Sequence, residues 1–333
     1  MLKLFDEFRE KLDNAMIKAF GHRVVLYGYG RTGQFLEWYA KHYHGIEMDF
    51  IITEDWSSAI PYSFPLFRDS LFQFNYKDVK DAIVWLALPG DQKAKELCAS
   101  HAGEVIDFAS FIYGDKLVNN EIGKDIFEQK KTGIHDIQFM EYLECFYNCN
   151  FVTAIESRQF KGNYAGAHSY RMSGQKEIFP ILDYCHCLPT EEDAIFDFGC
   201  GKGAALVSFL DYGFRRVGGI EYVNEIYETL ISNMNNLGID KKQAECLHGD
   251  AATIKTELDG YNWFYFFDPF HRPVFEAVIK NICESYYRIP RKITIININP
   301  KFYEVIEKTG VFALTNQFCA DMRQKVVDVY ITK

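Results

Sequence analysis

Three glycines at alternate positions, Gly199, Gly201 and Gly203, begin two residues after a carboxylate, Asp197. Glycine admits positive φ and lets a ligand come against the main chain with no Cβ in the way. Before them, Ala194-Ile195-Phe196 reads as a short apolar strand; after them, Ala204, Ala205, Leu206 and Val207 open an apolar helix pattern. The amides of such a turn point at a ligand from a helix N-terminus. Strand, glycine-rich turn and helix together make the first unit of a doubly wound sheet that binds a nucleotide-like molecule. The GxGxG spacing, with its acidic residue two places ahead, differs from the dinucleotide pattern GxGxxG. Carboxylates recur at the ends of later apolar runs. Glu221 closes Arg216-Val217-Gly218-Gly219-Ile220, Asp250 follows His248-Gly249, and Asp268 closes Phe264-Tyr265-Phe266-Phe267. Glu221 lies eighteen residues after Gly203, about the offset at which an acidic side chain meets a ribose hydroxyl pair.

With these four elements in order, the chain over about residues 160 to 333 resembles the class I S-adenosylmethionine-dependent methyltransferases. The run DFGCGKG, with Asp197, Gly199, Cys200, Gly201 and Gly203, looks like that family's first motif. Glu221 then takes the ribose position and Asp250 the adenine position. Asp268-Pro269-Phe270 looks like the fourth motif, beside the transferred methyl. The resemblance implies S-adenosylmethionine as cofactor, with Asp268 placed to orient an amine or take a proton from a hydroxyl, and Phe270 offering an aromatic face to the acceptor. Amino-group methyltransferases often carry two prolines before the aromatic; this chain carries one, which argues against a nucleobase amine. His271 is a candidate general base, with an ordinary exposed loop histidine as the alternative. Upstream, Asn163 to His168 is a glycine-containing polar loop ahead of a helix expected over Ser173 to Cys185. In the resemblance this segment covers the cofactor and contacts substrate, so Tyr164, His168 and Tyr170 are candidates, against the reading of a plain surface loop.

The elements that must position these residues follow from periodicity. Helices are expected over Ala204 to Tyr212, Asn224 to Leu237, Arg272 to about Tyr287 and Lys301 to Lys308. Lys292 to Ile298 reads as a fifth strand. Val311 to Phe318 and Val326 to Thr332 read as a closing hairpin that adds an antiparallel strand, completing seven. A second α/β unit precedes these. Apolar steps from Leu4 to Phe20 make an amphipathic helix, and Arg23 to Tyr27 is a strand. Gly28-Tyr29-Gly30-Arg31-Thr32-Gly33 is a GxGxxG, followed by a brief helix from Gln34 to about His42. Strands are expected at Met48 to Ile52, Ala82 to Leu88 and Glu104 to Phe108, with a helix over Asp91 to His101. VVLYGYGRTG is similar to the small Rossmann-like domains attached to bacterial nucleotide-sugar and surface-polysaccharide enzymes. Gly28, Gly30 and Gly33 then form a possible second nucleotide site, or they serve only close helix–strand packing. Between the units, Asp125 to Lys131 and Asp136 to Tyr147 look helical, and the stripe Phe139, Met140, Leu143, Phe146 fits core better than a groove.

Composition limits the partners. The 333 residues carry a formal charge of −10 and 48% hydrophobic content, enough for packed cores and against a broad nucleic-acid surface, which is normally basic. Apolar runs such as Ala82 to Leu88 are too short to span a bilayer, and MLKLFDEFREKL lacks the pattern of a signal peptide. Nine cysteines are read as reduced thiols of a cytoplasmic protein. Cys185-His186-Cys187 falls in a helical pattern and no pair has Cys-x-x-Cys spacing, so no metal site is expected.

The sequence therefore reads as an α/β protein of two Rossmann-like units. Residues 1–115 form the small unit with its N-terminal helix, 116–165 a helical connector, and 166–333 a seven-strand class I methyltransferase sheet with a closing antiparallel hairpin. The expected activity is methyl transfer from S-adenosylmethionine to an unidentified acceptor, a small molecule or sugar ahead of protein or nucleic acid. Nucleotide sensing without catalysis is the remaining alternative.

Overall fold

A computed structural model describes residues 5–29, 31–53, 66–68, 80–87, 92–100, 102–108, 138–161, 164, 167–268, 270–319 and 325–333. The expected helix at Asp125 to Lys131 lies outside them. The chain divides into two compact units, Lys3–Cys145 and Phe146–Lys333.

The N-terminal unit runs α1 (Asp6–Lys18), β1 (Val24–Tyr27), α2 (Arg31–His44), β2 (Phe50–Thr53), β3 (Leu66–Arg68), β4 (Ile83–Leu86), α3 (Gln92–Ala99) and β5 (Glu104–Asp107), followed by α4 (Gln138–Tyr147). Its five described strands are all parallel, in the order β3-β2-β1-β4-β5. Both faces of such a sheet are covered, so β1 and β4 are buried along their whole length. Helix α2 begins inside the glycine turn and runs 14 residues, so the brief helix expected from Gln34 is a full one. The stripe on α4 is core: Phe139 packs edge-on against Phe5, Phe8 and Phe35, at centroid distances of 5.1, 5.1 and 5.4 Å. Edge-to-face geometry suits the ring quadrupoles.

The C-terminal unit runs α5 (Gln175–Tyr184), β6 (Ala194–Phe198), α6 (Ala204–Tyr212), β7 (Arg216–Glu221), α7 (Asn224–Asn236), β8 (Ala244–His248), β9 (Trp263–Phe267), α8 (Arg272–Arg288), β10 (Thr294–Ile298), α9 (Tyr303–Lys308), β11 (Phe312–Cys319) and β12 (Val326–Thr332). The sheet order is β11-β12-β10-β9-β6-β7-β8. Strand β12 inserts antiparallel between β10 and β11, while β6 to β10 are parallel. This is the seven-strand sheet of the class I methyltransferase fold, with its closing hairpin. Strands β6, β9 and β10 carry the central core on one face, with Phe196, Phe198, Phe264, Phe266 and Ile295 packed beneath Phe275, Val278, Ile279 and Ile282 of α8. The order reverses between β6 and β9, which opens a crevice at the carboxyl ends of these strands.

Helix α5 stops at Tyr184. His186 takes the left-handed backbone, φ 50°, and the amide of Cys187 donates to the Leu182 carbonyl. This is a terminating turn, so Cys185-His186-Cys187 is not helical. Burial pushes the Cys185 thiol up to about 12, as suits a packed, unreactive sulfur.

Candidate active site

The site is built at the carboxyl end of β6. Asp197 is almost fully buried, and the chain after it turns through Gly199, Gly201 and Gly203, with φ of 85°, 55° and 90°. At Gly201 the need for glycine is double. The backbone is left-handed, and an added Cβ would stand 2.4 Å from the Tyr170 ring. That ring is fixed in turn, its hydroxyl donating to the Phe151 carbonyl at 2.7 Å. Lys202, 1% exposed, runs beneath the turn and donates to Asn150 Oδ1 at 2.7 Å and the Thr153 carbonyl at 2.8 Å. Its ammonium lies 4.9 Å from the Tyr170 ring centroid, a cation–π distance. Asn233 on α7 joins the same set, donating to the carbonyls of Asn150 and Lys202, each at 3.0 Å. The segment before α5 is thus bolted to the glycine turn.

Two acidic groups complete the floor. Glu221, at the end of β7, accepts from the Gly201 amide at 3.0 Å and the Val223 amide at 2.8 Å. Burial raises its pKa against those two donors. Asp197 is pushed up to about 8, first by burial and then by the Glu221 carboxylate. Its register partner on β9, Tyr265, is also buried, and its phenol is held well above its usual range by burial and by Asp197. A cationic ligand group would find two carboxylates here that have no cationic partner among the described residues. Asp250, after β8, is exposed and caps a 3-10 turn by accepting from the Ala252 amide at 2.9 Å.

The far side of the site comes from β9, α8 and the loop before α5. Asp268 follows β9 with a left-handed backbone, φ 44°, and Asn299 follows β10 in the same conformation, φ 53°. Asp and Asn tolerate this region better than other side-chain-bearing residues. The Asp268 carboxylate pairs with Lys301 Nζ at 2.6 Å. Its backbone carbonyl meets His168 Nδ1 at 3.0 Å. The N-cap of α8 is His271, whose ring meets that of His168 edge-on at 5.5 Å. Phe270 packs edge-on against Phe198 at 6.3 Å.

One cavity of about 410 Å³ gathers these groups, within the size range of small-molecule sites. Of the residues singled out in the sequence, Asp197, Gly199, Cys200, Gly201, Glu221, Asp250, His168, Tyr170, Asp268, Phe270 and His271 line it. Gly203 and Tyr164 do not. A Cβ at Gly203 would strike Leu230 and Met234 of α7, so that glycine serves helix packing. The Tyr164 hydroxyl accepts from the Asn224 amide at 3.2 Å, and its ring meets Tyr222 edge-on at 5.3 Å. Sequence reasoning passed over Lys202, Tyr222, Asn299 and Lys301. Tyr222 directly follows Glu221 and Asn299 directly follows strand β10, so position after a strand end was the available signal. Among the described residues, no group of three His, Cys, Asp or Glu side chains is arranged to hold a metal ion, and no helix is long and apolar enough to cross a membrane.

The other glycine turn is different. Gly28 has φ 94°, and a Cβ on Gly33 would lie 2.1 Å from the Gly28 carbonyl oxygen. The Tyr29 side chain is buried and its hydroxyl donates to Glu37 on α2. Gly30 lies outside the described residues.

No protein-family model matches the sequence, and neither does any curated protein. Solved structures are similar over about half of the chain. The Escherichia coli protein yhhF, described as a methyltransferase, is 14% identical, with 54% of this chain and 99% of that chain covered at a TM-score of 0.38. A Pyrococcus horikoshii protein described as an RNA methyltransferase is 19% identical, covering 53% and 92% at 0.38. The glycopeptide N-methyltransferase MtfA, solved with sinefungin, is 8% identical, covering 48% and 94% at 0.37. The strand order with its closing hairpin defines the class: the C-terminal unit has the class I methyltransferase fold.

Proposed function

We propose that the C-terminal unit is an S-adenosylmethionine-dependent methyltransferase that modifies a small-molecule or sugar acceptor. The observation that carries this reading is the convergence of Asp197, Glu221 and Asp250, from the ends of three successive parallel strands, on one cavity beside a left-handed glycine turn. S-adenosylmethionine supplies an electrophilic methyl on a sulfonium. The residues would divide its binding between them. Asp197, buried and without a cationic partner among the described residues, suits the ammonium of the amino-acid end. Glu221 keeps lone pairs on both oxygens for a ribose hydroxyl pair while holding Gly201 and Val223. Asp250, exposed at the rim, suits the adenine amine. Asp268, His271 and His168 stand together on the acceptor side, with Phe270 as an aromatic wall and Tyr170 fixed beneath the turn. Tyr164 acts through Tyr222. Protein alone would then contribute orientation and proton handling.

Calorimetry with S-adenosylmethionine tests the reading. Glu221→Ala should weaken binding by roughly 1.5–3 kcal/mol per lost charge-assisted hydrogen bond, about ten- to a hundredfold or more. Unchanged affinity in a variant with the wild-type circular dichroism spectrum would remove Glu221 from the cofactor site.

A further inference from the structure

We propose that His168 is the proton acceptor of the reaction and that the methyl acceptor is a hydroxyl compound, an alcohol or phenol small enough for the cavity; this rests on the methyl-transfer reading above. His168 Nδ1 lies 3.0 Å from the main-chain carbonyl oxygen of Asp268. A carbonyl oxygen can only accept, so Nδ1 carries the proton, and the neutral ring presents its lone pair at Nε2. A histidine whose tautomer is set by a backbone carbonyl is an oriented base, since no side-chain rotation of the partner can change it. His168 lines the cavity with Asp268, His271 and Phe270. The titratable group set against its ring is His271, edge-on at 5.5 Å.

The same contacts select the acceptor. The carboxylate that could hold a cationic amine is already paired with Lys301 Nζ at 2.6 Å, so the acceptor side offers no free negative charge at Asp268. A neutral amine attacks with its own lone pair and sheds its proton afterwards. A hydroxyl oxygen that gained a methyl without losing its proton would be a strongly acidic oxonium, so its attack benefits most from a base in place. In the balanced step the oxygen–methyl bond forms, the methyl–sulfur bond breaks and its electron pair stays on sulfur. The hydroxyl proton passes to His168 Nε2. Positive charge thus moves from the sulfonium to the imidazole, leaving a neutral ether and a neutral thioether.

Two measurements on the full chain test this. In the long-range ¹H–¹⁵N spectrum of ¹⁵N-histidine-labelled protein, assigned with His168→Asn, the His168 ring should show the Nδ1–H tautomer; an Nε2–H pattern overturns the proposal. Methyl-labelled S-adenosylmethionine is then offered with catechol, simple phenols, monosaccharides, and primary and secondary amines. Label should enter a hydroxyl acceptor. His168→Asn, which keeps a donor for the Asp268 carbonyl and deletes Nε2, should lower kcat by about 10²–10⁴ with calorimetric S-adenosylmethionine affinity unchanged. Label in amines alone, label in no hydroxyl compound, or kcat within threefold of wild type in His168→Asn overturns it. Failure of wild-type protein to bind S-adenosylmethionine defeats instead the underlying methyl-transfer reading.

Discussion

Two strand–glycine–helix turns stand among the described residues, and their described glycines meet different neighbours. In the N-terminal unit, a Cβ on Gly33 would strike the carbonyl of Gly28, and the Tyr29 hydroxyl donates to Glu37. In the C-terminal unit, Gly201 makes room for the Tyr170 ring, which lines a cavity that Asp197, Glu221 and Asp250 also face. Glycine spacing reports only that a backbone must approach something closely. What the approach is for depends on the charged groups at the neighbouring strand ends, and these lie tens of residues away in the chain.

Substitutions at the two turns break the comparison most sharply. Gly33→Ala sets a Cβ against rigid backbone, so the cost should reach or exceed the upper end of the usual overpacking range, about 3 kcal/mol. Its effect should appear in chemical denaturation alone, with S-adenosylmethionine affinity of the folded protein unchanged. Gly201→Val meets a ring rather than backbone and should instead abolish measurable cofactor binding, because Tyr170 can relieve the clash only by moving within the cavity wall. Equal loss of affinity in both variants would erase the distinction between the turns.

The next effect concerns charge. Folded Asp197 keeps its proton up to a pH of about 8, whereas an unfolded aspartate releases it near pH 3.9. Between these values the folded ligand-free chain binds more protons than the unfolded one, so its stability falls as pH rises. Denaturation midpoints across pH 4.5–8 should show this decline, and Asp197→Asn should flatten it. Glu221 is shifted in the same direction, so some slope remains. If S-adenosylmethionine seats its ammonium at Asp197, binding should also release protons near pH 7. Calorimetry in buffers of different ionisation enthalpy measures that release directly.

A smaller effect is expected at Asp268. Its carboxylate is paired with Lys301 on a partly exposed rim, and its main-chain carbonyl, which holds His168, survives any side-chain change. Asp268→Asn should therefore lower turnover by about tenfold or less, well short of the loss expected for His168→Asn. A larger fall in Asp268→Asn would return the proton-accepting role to the carboxylate.

Much of this was legible in the chain. Strands β6, β7 and β9 follow from apolar runs closed by carboxylates, because parallel strands buried on both faces are nearly continuous in apolar residues, whereas β8, Ala244–His248, carries no such run. Asp197, Glu221 and Asp250 could be picked out as candidates because each lies at or just beyond the end of a strand. The three-residue strand Leu66–Arg68 carries too little pattern to be seen. The Asp268–Lys301 pair was hidden because it joins the ends of two neighbouring strands, and no local period encodes which cation reaches across. The His168 contact was hidden for a similar reason: its partner is a main-chain carbonyl one hundred residues away, and that carbonyl leaves no trace in residue type. Lys202 drew no notice within DFGCGKG. Its burial depends on Asn150 and Thr153, fifty residues upstream.

The central claim is that the cavity between Asp197, Glu221 and Asp250 holds S-adenosylmethionine, and isothermal titration of the full chain with that molecule tests it most directly. The account predicts a single saturable site, with proton release near pH 7 and with binding lost in Gly201→Val but kept in Gly33→Ala. No saturable heat with wild-type protein up to millimolar ligand, or binding that survives Gly201→Val unchanged, would contradict it.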